Sequence, residues 1–226
     1  MSSPHWVPLE SNPDVMNNFI TSLGVSGPYS LQDVLGFDPE LLELVPKPVV
    51  GLVFLYPIKD TDVVPSHDAH EKGDQGGDLF FMQQTINNAC GTIALINMLG
   101  NLTDKISIDP SSFLGKFLTK TKSMTPAEKG KALEYNEDIC TAHGETAQEG
   151  QTPAPSAEAH LDLHFVAFVE HNGKLIELDG RKVEPTFHGK TSGETFLNDA
   201  ANVCKEFIAT RPNEQRFTVL AYAAHD

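Results

Sequence analysis

The chain has 226 residues, 40% of them hydrophobic, and a formal net charge of −15 at pH 7. This length suits one hydrophobic core, so we expect a single domain over residues 1–226, and we expect a monomer. The strong negative charge argues against nucleic acid and membranes as partners, and no apolar run is long enough to cross a bilayer.

The three cysteines, Cys90, Cys140 and Cys204, are odd in number and far apart. Such a set argues against a disulfide framework and against a Cys-x-x-Cys metal site, so we expect no metal and no cofactor. The first residues contain no basic segment followed by an apolar one, which a secretory signal would need. These features favour a reducing compartment and a cytoplasmic location.

Helices are predicted where a capping residue precedes apolar side chains that recur every three or four positions. In three of them, which begin at Asn12, Asp38 and Asp109, proline at the first turn follows an Asn or Asp cap, and residues 125–128 (Thr-Pro-Ala-Glu) form a capping box. Five of the predicted helices run from Asn12 to Gly24, from Asp38 to Leu44, from Cys90 to Leu99, from Thr125 to about Ile139 and from Glu194 to Thr210. A further predicted helix is capped by Asp109 and has Phe113, Leu114, Phe117 and Leu118 on its core face.

Apolar runs predict strands at residues 48–56, 161–170, 174–179 and 217–222. The first run is apolar throughout, which is typical of a strand buried on both faces. Asn172-Gly173 between the second and third runs predicts a tight hairpin turn. The polar residues 60–78 predict an exposed loop.

Residues 141–160 form a polar stretch with no large apolar side chain inside an otherwise compact chain. A long loop of this kind is typically either functional or disordered. Composition alone leaves open an inert surface insertion.

Cys90 lies at the start of a strongly apolar predicted helix. Backbone N–H groups at a helix N-terminus have no intrahelical partners and carry partial positive charge, which pushes a thiol toward the nucleophilic thiolate. Asn88 can cap this helix, and Gly91 lets another segment approach the sulfur closely. Upstream, the side-chain amide of Gln84 could donate a hydrogen bond to an oxyanion.

The predicted hairpin places a histidine near a carboxylate. If Asn172 and Gly173 form a two-residue loop, paired positions sum to 345 and Asp179 faces Val166. Because side chains alternate along a strand, His164 and Asp179 are then diagonal neighbours on one face. The carboxylate can fix the imidazole tautomer and leave the other ring nitrogen free to act as a base. A register slip of one residue would separate the pair.

Each of these residues also has an ordinary structural interpretation: a buried cysteine, a satisfied core histidine and a turn aspartate. Their combination favours a Cys-His-Asp arrangement for nucleophilic catalysis. The remaining candidates, His67, His70 and His160, have no paired cysteines and do not favour a zinc site.

Several short segments form a recognisable set when they are taken in chain order. They are residues 6–13 (Trp-Val-Pro-Leu-Glu-Ser-Asn-Pro), 38–42, Gln84 with 88–92 (Asn-Ala-Cys-Gly-Thr), 149–152, 162–165 (Asp-Leu-His-Phe), 177–181 (Glu-Leu-Asp-Gly-Arg) and 216–217. Together they resemble the signature segments of the ubiquitin C-terminal hydrolases, the small papain-like deubiquitinases. The resemblance covers nearly the whole chain and is nearest to the short members that consist of the catalytic domain alone.

The resemblance implies an α/β fold: a papain-like α-β-α sandwich with a mostly antiparallel central sheet, a knotted backbone and a crossover loop, here about residues 141–160, over the active site. Cys90 matches the nucleophile, His164 the general base and Asp179 the residue that orients it. Gln84 matches the donor to the oxyanion. Cys140, His143 and residues 66–78 match no signature of the family.

Three segments match those that touch ubiquitin in the family, which makes ubiquitin the expected partner. The matching residues are Pro8, Leu9, Glu10, Ser11, Asn12 and Pro13, then Ala147, Gln148, Glu149, Gly150, Gln151, Thr152, Pro153 and Ala154, and finally Glu214, Gln215, Arg216, Phe217, Thr218 and Val219.

The resulting hypothesis is a thiol hydrolase that releases small or unfolded adducts from the C-terminal glycine of ubiquitin, with an acidic surface that meets ubiquitin's basic face. Two alternatives stay open at this point. The chain could be a ubiquitin-binding protein with little turnover, or a hydrolase that prefers a ubiquitin-like modifier such as NEDD8.

Overall fold

The computed structural model describes residues 5–58, 79–159 and 161–225. The predicted loop at 60–78, with His67 and His70, and also His160, lie outside the described residues. Helices in the described part are α1 (Pro13–Ser22), α2 (Pro39–Glu43), α3 (Cys90–Leu99), α4 (Phe113–Thr121), α5 (Pro126–Glu134), α6 (Glu137–Thr146) and α7 (Phe196–Ala209). Strands are β1 (Val25–Ser26), β2 (Tyr29–Asp33), β3 (Val49–Pro57), β4 (Ser107–Ile108), β5 (Leu163–His171), β6 (Lys174–Leu178), β7 (Thr186–Lys190) and β8 (Thr218–Ala224).

A six-stranded sheet with the order β2-β8-β3-β5-β6-β7 forms the centre of the fold, and each of its strand pairs is antiparallel. The short strands β1 and β4 pair separately. Every residue of β3 is buried, as its continuous apolar sequence predicted. The four predicted strands are confirmed, whereas β1, β2, β4 and β7 carry too short or too polar a pattern to be recognised from sequence.

Helices cover both faces of this sheet, and each face has its own apolar core. The larger core joins α1 and α3 to one face and includes Phe19, Ile93 and Phe165. The second core joins α7 to the other face and includes Phe168 and Phe196. This α-β-α layering confirms the predicted fold class. In the described ranges, no helix combines the length and apolar character that a membrane crossing requires.

Local capping chemistry sets where several helices begin. Asn12 caps α1, and Thr125 with Glu128 forms the predicted capping box of α5. The expected cap at Asp109 is wrong, because its carboxylate instead bonds Ser111 in a preceding turn and Ser112 caps α4.

The helix predicted from Thr125 to about Ile139 is two helices. α5 ends at Glu134, and α6 begins after Asn136, whose side chain accepts a hydrogen bond from the N–H of Ile139 at 2.9 Å. Asn136 offers the backbone a local side-chain acceptor, which interrupts the helix and starts a new one.

The hairpin between β5 and β6 has the predicted register. His171 pairs with Lys174, and Ala167 pairs with Leu178. The two turn residues, Asn172 and Gly173, have φ angles of 52° and 72°, the left-handed values that a tight hairpin turn requires. Asp179 follows immediately after β6 and is therefore carried to the level of the first residues of β5.

Candidate active site

Cys90 is the first residue of α3 and lies at an open edge of β5. β5 pairs with β3 from Leu163 onward, but β6 covers the opposite edge of β5 only from Ala167 onward. The N-terminus of α3 packs against β5 at this place, because a Cβ at Gly91 would lie 3.4 Å from Cδ2 of Phe165. This arrangement brings the thiol to the end of the strand that carries His164.

His164 and Asp179 form a buried pair, as the predicted hairpin register requires. Nε2 of His164 lies 2.7 Å from Oδ1 of Asp179, and each residue is 3% exposed. The carboxylate also accepts a hydrogen bond from the N–H of Arg181 at 2.9 Å. The His164 side chain also interacts electrostatically with Cys90, and Nδ1 is the ring nitrogen that the carboxylate leaves for this thiol. Tyr56 packs its ring edge-on against the imidazole, with 5.8 Å between the ring centroids.

The three groups shift one another's pKa in the direction that favours an ion pair. Burial alone would raise the pKa of the Cys90 thiol, but its hydrogen bond with His164 and that ring's charge hold the pKa below its ordinary value. Burial likewise opposes a charged imidazole, yet the bonds to Asp179 and Cys90 raise the pKa of His164 to about 9. Burial would also raise the pKa of Asp179, and the bond from His164 lowers it instead. At neutral pH the arrangement favours thiolate beside imidazolium.

Gln84 precedes the helix and is held from two sides. Its backbone N–H donates to the carbonyl of Gly180 at 2.8 Å, and its side-chain Nε2 donates to the carbonyl of Ile86 at 2.9 Å. Since the Ile86 carbonyl can only accept, the end of the Gln84 amide that faces it must be the NH₂ group. An NH₂ group has a second hydrogen, so one donor of Gln84 is left for another acceptor.

The predicted cap at Asn88 is wrong, and the structure gives this residue another contact. Ala89 is the N-cap of α3 and makes no side-chain cap bond. Asn88 has a φ of 61°, a left-handed conformation that asparagine tolerates, and its Nδ2 donates to the carbonyls of Ala157 at 2.9 Å and Ala159 at 3.3 Å. Asn88 therefore holds a distant segment beside Cys90.

His143 on α6 makes contacts that no spacing in the sequence signals. Its Nε2 donates to the carbonyl of Val7 at 2.7 Å, so Nδ1 accepts from the hydroxyl of Thr92 at 2.8 Å. Its ring packs on Trp6, with 4.4 Å between centroids. Burial lowers the pKa of His143 to about 4, so the ring is neutral at neutral pH. It joins α6, the chain's N-terminal segment and the first turn after Cys90.

Comparison with known proteins decides which chemistry this geometry serves. The family described as "Ubiquitin carboxyl-terminal hydrolase, family 1" matches residues 6–209. The chain belongs to the ubiquitin carboxyl-terminal hydrolase family. It is accordingly a thiol hydrolase, and the predicted family is confirmed.

Relatives share most of their length with this chain. A ubiquitin carboxyl-terminal hydrolase from Aplysia californica is 46% identical over 93% of this chain and 98% of its own. The human ubiquitin carboxyl-terminal hydrolase isozyme L1 is 39% identical over 95% of this chain and 96% of its own. The fold is similar to the catalytic domain of Trichinella spiralis UCH37, solved bound to ubiquitin vinyl methyl ester, with a TM-score of 0.80 and 26% identity over 97% and 96% of the two chains.

The crossover loop expected of a ubiquitin carboxyl-terminal hydrolase is shorter here than predicted. Residues 141–146 belong to α6, so the predicted loop at 141–160 begins too early. The described part without regular secondary structure is residues 147–159, which we call the crossover segment. Small and polar side chains in 141–146 hid the helix, but Ile139, Ala142, His143 and Thr146 are buried along one side of it.

The three segments that the family resemblance singled out meet in space. Oε2 of Glu10 accepts hydrogen bonds from the hydroxyl of Thr152 at 2.7 Å and from its N–H at 3.1 Å, and Oε1 accepts from the N–H of Gln151 at 3.3 Å. Oγ of Ser11 lies 3.4 Å from Oγ1 of Thr218. Residues 8–13 thus contact both of the other two segments.

Proposed function

We propose that this ubiquitin carboxyl-terminal hydrolase uses Cys90 as the nucleophile, His164 as general base and acid, and Asp179 as the residue that orients His164. The observation that carries the proposal is the buried His164–Asp179 pair, 2.7 Å apart, together with the pKa shifts that Cys90 and His164 impose on each other. Because these groups are already aligned, the geometry favours turnover over simple storage of ubiquitin.

In the proposed reaction, the Cys90 thiolate attacks the carbonyl carbon of ubiquitin's terminal glycine. The resulting oxyanion accepts hydrogen bonds from the second Nε2 hydrogen of Gln84 and from the backbone N–H of Cys90, which as the first residue of α3 has no acceptor within the helix. His164 protonates the leaving group, and an acyl-enzyme forms. His164 then takes a proton from water, which attacks the thioester and releases ubiquitin with a free carboxylate.

We propose that residues 8–13, 147–154 and 214–219 form the ubiquitin surface. The side chains of Leu9, Ala147 and Val219 are buried, at 5%, 5% and 6% exposure, so they support this surface from below. Exposed or partly exposed side chains of the three segments form its outside, among them Glu10, Gln151, Thr152, Gln215 and Arg216.

The proposed substrates are ubiquitin molecules with small or unfolded C-terminal adducts. The crossover segment is fixed at Glu10 on one side and at Asn88 on the other, next to the nucleophile. A strap held at both ends restricts which leaving groups can pass beneath it. The family match over residues 6–209 also supports one catalytic domain for the whole chain.

The test is release of a fluorophore attached to the C-terminus of ubiquitin. Cys90→Ala should abolish release and retain ubiquitin binding, measured by calorimetry. Cys140→Ala, which removes an exposed cysteine on α6, is the matched control and should keep wild-type turnover. Turnover that survives in Cys90→Ala would refute the assignment. A wild type that binds ubiquitin without releasing the fluorophore would favour a ubiquitin-binding protein with little turnover. Faster release of the fluorophore from NEDD8 than from ubiquitin would favour NEDD8 as the preferred modifier.

A further inference from the structure

Residues 179–182 form a turn that contains Asp179 and contacts Gln84. It therefore involves both the residue proposed to orient His164 and the proposed donor to the oxyanion. Asp179 begins this turn, and the N–H of Lys182 donates to its carbonyl at 2.9 Å. The carbonyl of Gly180 accepts the N–H of Gln84 at 2.8 Å, and the carbonyl of Lys182 accepts from Nε2 of Gln83 at 3.0 Å. A shift of this turn would therefore move the orienting carboxylate and the oxyanion donor together.

The approach between the turn and Gln84 leaves no room for adjustment. A Cβ at Gly180 would lie 2.7 Å from Cγ2 of Ile93 on α3 and 3.1 Å from Cβ of Gln84. The turn is thus packed directly against the helix that begins with Cys90. The position of the turn therefore also depends on its contacts on the side away from α3.

On that side, a largely buried ion pair between Lys182 and Glu177 holds the turn. Nζ of Lys182 lies 2.6 Å from Oε1 of Glu177 on β6 and 2.9 Å from Oγ1 of Thr186 on β7. The Lys182 and Glu177 side chains are only 16% and 12% exposed. The other carboxylate oxygen, Oε2, lies 2.7 Å from Nε2 of His188. These contacts order the long side chain of Lys182 despite its entropy cost and tie the turn to β6 and β7.

We propose that Lys182 is a positioning residue, which holds the turn of residues 179–182 through its ion pair with Glu177 and thereby aligns Asp179 with His164 and Gln84 with the oxyanion. This inference rests on the proposed function, because it concerns the same catalytic groups. Lys182 itself does not contact the reacting atoms.

The test compares three variants. Lys182→Met removes the ion pair. Glu177→Gln with Lys182→Met removes both charges, so no uncompensated carboxylate stays buried and the local charge is unchanged. Lys131→Met is the matched control, because Lys131 on α5 pairs with Glu134 at the same 2.6 Å, with the lysine side chain 61% exposed. The other ionisable groups around the turn, unchanged in every variant, are Tyr56, Arg181, His188, Cys204 and Arg211.

Two readouts report alignment. The first is the pH dependence of Cys90 alkylation by iodoacetamide, followed by mass spectrometry of the Cys90 peptide, which needs no ubiquitin. The second is the separation of kcat from KM on the ubiquitin fluorophore substrate. A purely structural role would lower the melting temperature without moving the alkylation profile.

We expect the acid limb of Cys90 alkylation to move up by about one pH unit in both Lys182 variants, because a displaced Asp179 no longer supports the imidazolium beside the thiolate. We expect kcat to fall about tenfold or more, with little change in KM. Lys131→Met should match wild type. The proposal is overturned if either folded Lys182 variant keeps the wild-type alkylation profile and kcat. A wild type without turnover would instead defeat the proposed function.

Discussion

At the residue scale, His143 is a buried histidine outside the proposed reaction. It is 2% exposed, and both of its ring nitrogens are hydrogen-bonded, to Val7 and Thr92. Because Nδ1 accepts a hydrogen bond, protonation of the ring would break the contact with Thr92, two residues from Cys90. The neutral ring is thus part of what fixes the first turn of α3.

The depressed pKa of His143 predicts a loss of stability in acid. Burial lowers this pKa from 6.5 to about 4, so between these values the unfolded chain binds a proton that the folded protein does not. The contribution of His143 to the free energy of unfolding therefore falls as the pH falls through this window, by about 2 kcal/mol from pH 7 to pH 5. Urea denaturation at both pH values measures the loss.

His143→Gln should remove most of this pH dependence, although it is less stable than wild type at pH 7. His5→Gln, which changes an exposed histidine, serves as the control and should keep the wild-type dependence. Equal losses of stability in acid for wild type and His143→Gln would contradict the assignment.

Individual roles were predictable from sequence only where the local pattern determines the contact. Cys90 could be placed at a helix start because the apolar run after it is unmistakable. Asparagine is a common capping residue, so the sequence predicted a cap at Asn88. Its left-handed backbone and its bonds to Ala157 and Ala159 instead depend on a segment that is distant in sequence. His143 gave no signal because its partners, Val7 and Thr92, are equally distant.

At the scale of elements, the crossover segment depends on a few polar contacts. The carboxylate of Glu10 accepts three hydrogen bonds from Gln151 and Thr152, and these bonds lower its pKa. Most side chains of the segment are exposed, so apolar burial contributes little to its position. Glu10 therefore has a large share in fixing it.

Glu10→Ala should release the middle of the crossover segment. The amides of Gln151 and Thr152 lose their acceptor, and we expect their hydrogen exchange, measured by NMR, to accelerate by about tenfold or more. Glu158→Ala is the control, because Glu158 bonds Ser156 within the same segment and not the amides of Gln151 and Thr152. Unchanged protection of both amides in Glu10→Ala would show that other contacts hold the segment.

The elements predicted well were those whose structure depends on residues close together in sequence. The hairpin of β5 and β6 follows from Asn172-Gly173 and alternation alone, and its register placed Asp179 beside His164. The break between α5 and α6 was missed because apolar spacing continues to Ile139 while Asn136 restarts the helix. The edge strand β7 was missed because all its residues are at least partly exposed.

At the scale of the whole molecule, the site depends on segments that only the complete fold assembles. The proposed nucleophile, Cys90, comes from the start of α3, and His164 and Asp179 come from a hairpin more than seventy residues later. Residues 8–13 contact the crossover segment and the region of Thr218 from the other end of the chain. Periodicity predicts the pieces, and the family resemblance, now confirmed, predicted their assembly.

The central claim is that Cys90, alone among the three cysteines, is presented as a thiolate to the C-terminus of ubiquitin. Cys140 is exposed, whereas Cys204 is buried and its pKa is raised by burial, so the chain contains its own controls. The most direct test is incubation with ubiquitin vinyl methyl ester at neutral pH, followed by intact mass and peptide mapping. The account predicts one ubiquitin adduct per chain, on Cys90, and none in Cys90→Ala. An adduct on Cys140, or an unmodified wild type, would contradict it.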